Sequence, residues 1–278
     1  IHPEEIRQNL PQGQGGMGFM FHATDWDSLS ISCNNVKART PEFEEELWNT
    51  NPVITSPIYL DKQIIGANIG CPVPLELWLG SSAGIRRFRE KQFFPALQLA
   101  KQAGLNMVAM GASIPYACSY GTLPRSADLP NITTGHAATA AMLKEWAMHC
   151  CNEFSLNFSD AKIALFGAAG RLGVTVAKYL SYKSVPKELI LIDLPDKMAL
   201  LKKQVDELLS EQLPGSEKLK IALYTFNPQI PLPRFDGAIL VSCTTTPYLS
   251  ADDLKKAKFW IDDSHPRAAS VDAEIASR

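Results

Sequence analysis

The apolar positions change their spacing along the chain. From about residue 160 onward, short apolar runs at 162–166, 188–192, 221–224, 238–241 and 259–261 read as strands. Amphipathic stretches at 171–182 and 197–209 read as helices between them. Short apolar strands alternating with helices predict a parallel sheet covered on both faces. Upstream, 19–23 reads as a strand and 25–29 as a turn into a short helix. Residues 55–59 and 63–68 read as a strand pair around Asp61-Lys62. A helix is predicted from about Arg86 to Gln102, closing at Gly104 as a left-handed cap. A strand at 105–110 and a loop at 123–130 follow. Thr133-Thr134-Gly135 then introduces a long helix from His136 to Phe154. On it Ala140, Leu143, Trp146, Ala147 and Cys150 recur at helical spacing and predict a buried face. The pattern predicts two α/β domains: residues 1–158, binding substrate, and 159–278, a Rossmann-type doubly wound parallel sheet.

At 278 residues, 46% hydrophobic and 20% charged, the chain has ample material for folded cores, and wholesale disorder is excluded. Lys and Arg total 27 against 29 Asp and Glu, a net charge of −2. Such a balance predicts no attraction to nucleic acid or to an anionic membrane. No stretch approaches the length of an apolar spanning helix, and the amino end lacks the layout of a signal peptide. The six cysteines have no metal-like CxxC spacing and are expected as reduced thiols in a cytoplasm, with no metal bound.

The strongest local signal is Gly167-Ala168-Ala169-Gly170-Arg171-Leu172-Gly173, between a predicted strand and a predicted helix. In this variant of the dinucleotide fingerprint, Gly167 permits the tight turn and Gly170 lets the backbone approach a pyrophosphate. Gly173 lets helix and strand pack closely. The helix amides would meet the phosphates. Asp193 follows Gly173 by 20 residues, where an acid reads the ribose hydroxyls. A carboxylate there favours NAD over NADP; the bland alternative is a cap on the next helix.

Ser242-Cys243-Thr244 leaves a predicted buried strand at its carboxyl end. There Ser242 and Thr244 are candidate cofactor contacts, and Cys243 is a candidate nucleophile toward an acyl carbon. The alternative for Cys243 is a small buried thiol. His265, after Asp262-Asp263-Ser264, is either an acid–base group or a satisfied loop histidine. Thr134 and His136 are candidate catalytic groups hydrogen-bonding a carbonyl, with helix capping as the alternative for the threonine. Cys71, fixed between Gly70 and Pro72, reads as a packing residue. Arg86, Arg87 and Arg89 would meet a phosphate-bearing carrier or form a solvated helix face.

Taken together, the chain from about residue 19 resembles the fatty aldehyde-forming acyl-ACP reductases of cyanobacteria. The matching segments are Phe21-His22-Ala23-Thr24, Glu46-Leu47-Trp48, Ile64-Ile65-Gly66 running into Cys71-Pro72, Ala103-Gly104-Leu105-Asn106 and Met110-Gly111-Ala112. Thr133-Thr134-Gly135 with Thr139-Ala140, and the turn at Gly167, complete the set. The resemblance implies an oxidoreductase that reduces a thioester of acyl carrier protein or CoA to an aldehyde, using a nicotinamide cofactor. That family's nucleophilic cysteine lies beyond the position of Arg278. Its NADPH preference goes with a basic residue where this chain has Asp193-Leu194. Ser242-Cys243-Thr244, Ile261-Asp262 and Pro266-Arg267 are similar to the cofactor domains of glutamyl-tRNA reductase and shikimate dehydrogenase. The alternatives are an NAD-linked dehydrogenase of a small hydroxy or oxo acid, and a non-catalytic cofactor-binding or partner protein.

Overall fold

The computed structural model describes residues 1–23, 26, 39–123, 127–227, 237–244, 249–264 and 267–277. The chain forms two compact units, Ile1–Gly135 and His136–Arg278. Both are α/β with largely parallel sheets, as the alternating pattern predicts. The expected helix at 25–29 lies outside the described residues apart from Trp26, as do positions 124–126 of the predicted loop.

The first unit holds strands β1 (Gly16–His22), β2 (Val53–Leu60), β3 (Gln63–Cys71), β4 (Leu105–Met110) and β5 (Asn131–Thr133) in the order β2-β3-β1-β4-β5. All neighbours are parallel except the β2–β3 hairpin, whose turn residues Asp61 and Lys62 both take positive φ. One face carries the core, where Met20, Ile69 and Val108 pack against Phe93 and Leu97. The helix expected from Arg86 to Gln102 begins earlier, at Ser82. It passes through a π turn at Arg89–Phe93 before continuing as Phe94–Gln102. Pro95 is the reason, because it has no N–H to give the carbonyl one turn back and the ladder widens there. The helix ends as predicted at Gly104, φ 74°.

The second unit opens with the helix His136–Glu153 and continues through β6 (Lys162–Phe166), β7 (Glu188–Asp193), β8 (Lys220–Thr225), β9 (Ile239–Ser242) and β10 (Phe259–Asp262). The sheet order is β10-β9-β6-β7-β8, parallel throughout. Alternate residues of each strand enter two cores. Ile163, Leu165, Leu189 and Val241 pack with the helices His136–Glu153, Arg171–Leu180 and Met198–Ser210. Ala164, Phe166, Ile192 and Leu240 pack on the other face with Leu249, Leu254 and Ala269.

The boundary near residue 158 expected from the pattern is therefore displaced to Gly135/His136. Ala140, Leu143, Ala147 and Cys151 of the long helix are buried in the core of the second sheet, which draws the whole helix into that unit. Its buried stripe also differs from expectation. Trp146 is 54% exposed, set edge-to-face against His149, and Cys151 rather than Cys150 is fully buried. Lys144 lies within the stripe and donates to the carbonyls of Tyr179 (3.0 Å) and Tyr182 (2.6 Å). Its ammonium thus adds a positive charge to the carboxyl end of the neighbouring helix, where the dipole is negative.

Candidate functional site

The glycine turn lies where β6 ends, and β6 is the central strand of the sheet. The chain runs from β6 outward through β7 to β8 on one side, then returns to β9 and β10 on the other. Loops after β6 and β9 thus leave in opposite directions, the switch point at which open α/β sheets bind their ligands. Gly167 takes φ 74°, a left-handed conformation, and a Cβ on it would fall 2.6 Å from the Cys243 carbonyl oxygen. Gly173 packs so closely that a Cβ would lie 2.8 Å from Ala168 Cα, and closer still to the Gly167 carbonyl oxygen. Gly170 is different: its added Cβ would meet only that same oxygen, at 3.1 Å. It is exposed, its amide donates to the Gly167 carbonyl at 3.1 Å, and as the cap of Arg171–Leu180 it has no side chain to bond the first turn. Gly167 thus makes the tight turn and Gly173 the close packing of helix on strand, while Gly170 stands in the open.

Asp193 does not face outward to read a ribose. It is 9% exposed; Oδ2 accepts from Ala169 N at 2.7 Å and Oδ1 from Leu194 N at 2.8 Å. The carboxylate therefore staples the β6 loop to the end of β7. Its charge occupies the Ala169 amide, which leaves the helix side of the turn as the place for an anion. Ala168 N and Gly167 N are also used, both on the Ile192 carbonyl.

At the end of β9, Ser242 is completely buried and its Oγ accepts from Trp260 Nε1 at 3.0 Å, so it completes the core instead of lining a surface. Thr244 is held by Ser264, whose Oγ accepts from Thr244 N at 3.0 Å. The Cys243 thiol is pushed far above the usual thiol range, first by burial and then by the charges of Asp263 and Asp262. This is the reverse of what an activated nucleophile needs, because thiolate character requires nearby positive charge. Asp263 is the group that sequence reasoning misses. Partial burial and then the Asp262 charge raise its carboxyl to about 6, where it exchanges protons near neutrality. Its signal in the sequence is the Asp262-Asp263 doublet, two like charges side by side at a strand end. His265 itself lies outside the described residues, as do 245–248.

His136 and Arg171 begin two neighbouring helices, and the structure brings them together. Burial, then the Arg171 charge, lowers the His136 pKa and keeps the imidazole neutral. Thr134 belongs to the first unit and is half-buried; in that stretch the hydroxyl meeting a backbone amide is that of Thr133, which accepts from Gly135 N. Cys71 is buried, with its thiol pushed up to about 12 by burial, in keeping with a packing role. Of the arginine triplet, Arg87 pairs with Glu45 at 2.6 Å and lies over the Trp48 ring, while Arg89 donates to the Ala117 carbonyl and to Ser119. Among the described residues, no group of three His, Cys, Asp or Glu side chains could hold a metal ion. No helix among them is long and apolar enough to cross a membrane.

No family model matches the chain, and no curated protein matches it. Solved structures similar to it include the catalytic subunit of M. jannaschii aspartate transcarbamoylase, with 12% identity and a TM-score of 0.40, covering 99% of this chain and 84% of that one. Aspartate transcarbamoylase from Trypanosoma cruzi has 14% identity and a TM-score of 0.38, covering 99% and 85%. Ornithine transcarbamoylase from Giardia lamblia has 11% identity and a TM-score of 0.36, covering 95% and 77%. These findings correct the expectation drawn from sequence. The matches are carbamoyltransferases and not acyl-ACP reductases, so the reductase family, thioester reduction and the NAD or NADP cofactor are withdrawn. The stapled Asp193 carboxylate and the protonated Cys243 thiol point the same way.

Proposed function

We propose that the second unit is a Rossmann-type doubly wound domain that binds a small phosphate-bearing molecule at the helix side of its glycine turn. The observation that carries the reading is the start of Arg171–Leu180. A ten-residue helix begins at an exposed glycine, whose own cap position offers no side chain to the first turn, beside the central strand of the sheet. Oriented amides and the positive end of the helix dipole favour an anion there. Arg171, the first helical residue, brings a guanidinium to the same end, and His136 stays neutral beside it. Asp193 supports the reading by fixing the loop while closing the Ala169 amide to an anion, and the Gly167 carbonyl closes the Gly170 amide in the same way, which moves the phosphate to the helix start at Arg171 and Leu172. Asp263, on the same edge of the sheet, is the group suited to carry a proton for chemistry on that ligand.

The test is a thermal-shift survey of phosphomonoesters, sugar phosphates and nucleotides on the intact protein and on Gly170→Val. Gly170 has φ −68° and ψ 162°, a conformation valine adopts readily, so the variant keeps its fold while its branched side chain shields the amides. Phosphorylated compounds should raise the melting temperature of the parent and leave the variant unmoved. Equal shifts in both, or none in the parent, overturn the proposal.

A further inference from the structure

The two sheets are covered differently. In the second unit both faces carry an apolar core. In the first unit the described residues form one core, on the face of Met20, Ile69 and Val108. The strand registers put Met17, Phe19 and Phe21 of β1 on the opposite face. Met107 of β4 stands beside Met17 there, and Val53 of β2 shares Gly70 as a partner with Phe21. Met17 is 46%, Phe19 40%, Met107 46% and Val53 52% exposed, whereas Met20 between them on the core side is fully buried. A largely parallel sheet ordinarily has both faces covered, and a sheet face that meets water ordinarily carries polar residues at alternate positions. This face has neither device: the five strands contain no Asp, Glu, Lys or Arg at all.

The face is flat as well as uncharged. The Phe19 and Phe21 rings lie 20° from parallel with centroids 6.4 Å apart. A Cβ on Gly70 would fall 3.4 Å from Phe21 Cζ, and one on Gly111 2.5 Å from Phe19 Cζ, so both rings lean over glycine backbone. Five strands about 4.8 Å apart and about 20 Å long present roughly 500 Å². Two such faces together reach the roughly 1,000 Å² that a specific interface needs. A two-fold axis pairs a patch with itself, so any charge on it would meet its own kind, and these strands bring none. Edge-to-edge pairing is deterred instead, because the edge strand β2 carries Pro57 in mid-strand. We propose that a second copy of this chain covers this face, the two sheets packing face to face about a two-fold axis with β1 near its mate. The inference stands on the first unit alone and does not rest on the glycine-turn reading.

Analytical ultracentrifugation of the intact chain, from about 1 to about 100 µM, measures the association. Phe19→Lys and Met107→Lys are run beside it, with Tyr224→Lys, at an exposed aromatic of the second unit, as control. Circular dichroism melts check that each variant is folded; the positions are exposed enough for a lysine to reach water in the monomer. The parent should sediment as a dimer, with either lysine weakening it about 100-fold or more and the control leaving it unchanged. A parent that stays monomeric over that range, or forms any other oligomer, overturns the proposal whether or not the variants fold. So does a dimer that persists in both lysine variants, or that the control weakens equally. A monomeric parent that pellets with phosphatidylcholine vesicles would assign the face to a lipid surface and likewise overturn the proposal.

Discussion

Replacing Gly173 with alanine separates two opposing effects at one position. In an open helix the exchange stabilises by about 1 kcal/mol, since alanine has less backbone freedom to lose. Here the new methyl would stand 2.8 Å from Ala168 Cα and 2.9 Å from the Gly167 carbonyl carbon, and nearer to that carbonyl's oxygen. Carbon–carbon contacts rest at about 3.5–4.0 Å, so roughly 1 Å of overlap must be relieved. All three obstructing atoms are backbone, and no flexible side chain can move aside. Overpacking of this kind costs about 1–3 kcal/mol, and a purely backbone contact falls toward the upper end. The expected net effect is a loss of about 2 kcal/mol, which lowers the melting temperature by roughly 4–8 °C for a chain of this class. Circular dichroism melts and urea titrations of parent and Gly173→Ala measure it directly. A variant as stable as the parent, or more so, would show that the helix does not press on the turn, and the amide geometry built on that contact would fall with it.

Asp193→Asn should weaken the staple between the β6 loop and β7, costing about 1–2 kcal/mol and speeding hydrogen exchange at the Ala169 amide; unchanged exchange there would contradict the assignment. Trp260→Phe leaves the fully buried Ser242 hydroxyl without its donor and should cost about 1–3 kcal/mol, part of which returns when the serine is also changed to alanine. The double change should be closer to the parent than the single one, and the reverse order would refute the pairing. Asp263 has its carboxyl raised from 3.8 to about 6, so the folded state holds a proton the unfolded state has released. Its contribution is complete below pH 3.8 and is lost as pH rises through about 6. The residue keeps solvent contact, which limits the effect to under about 1 kcal/mol. Relative to the parent, Asp263→Asn should therefore gain stability across that window in pH-resolved urea unfolding, and parallel profiles would sink the argument.

Regular spacing is what makes the fold readable. The strands of the second sheet, its glycine turn and the hairpin at Asp61-Lys62 each rest on local periodicity or turn chemistry, and they occur where the pattern puts them. Ownership of the long helix is not readable in the same way. Its apolar stripe shows that it packs, but only the tertiary fold shows that Ala140, Leu143 and Cys151 pack on β6 and its neighbours. The site divides similarly. Three glycines at fixed offsets reveal a tight turn because each role is steric and local. Asp193 stands at the position of a ribose reader, yet its carboxylate is turned into the loop; sequence distance cannot distinguish those orientations. Cys243 has the same ambiguity, since burial and the Asp262-Asp263 charges that hold its thiol protonated come from a strand nearly twenty residues later in the chain.

The central claim is that the first-turn amides after Gly170 form an anion site. Titrating inorganic pyrophosphate into isotope-labelled protein, with backbone amide resonances followed one by one, tests it most directly. Saturable shifts should concentrate at Arg171 and Leu172, should spare Ala169, whose amide is bonded to Asp193, and should disappear in Gly170→Val. Shifts that are absent, that spread evenly over surface lysines, or that persist in the variant would contradict it.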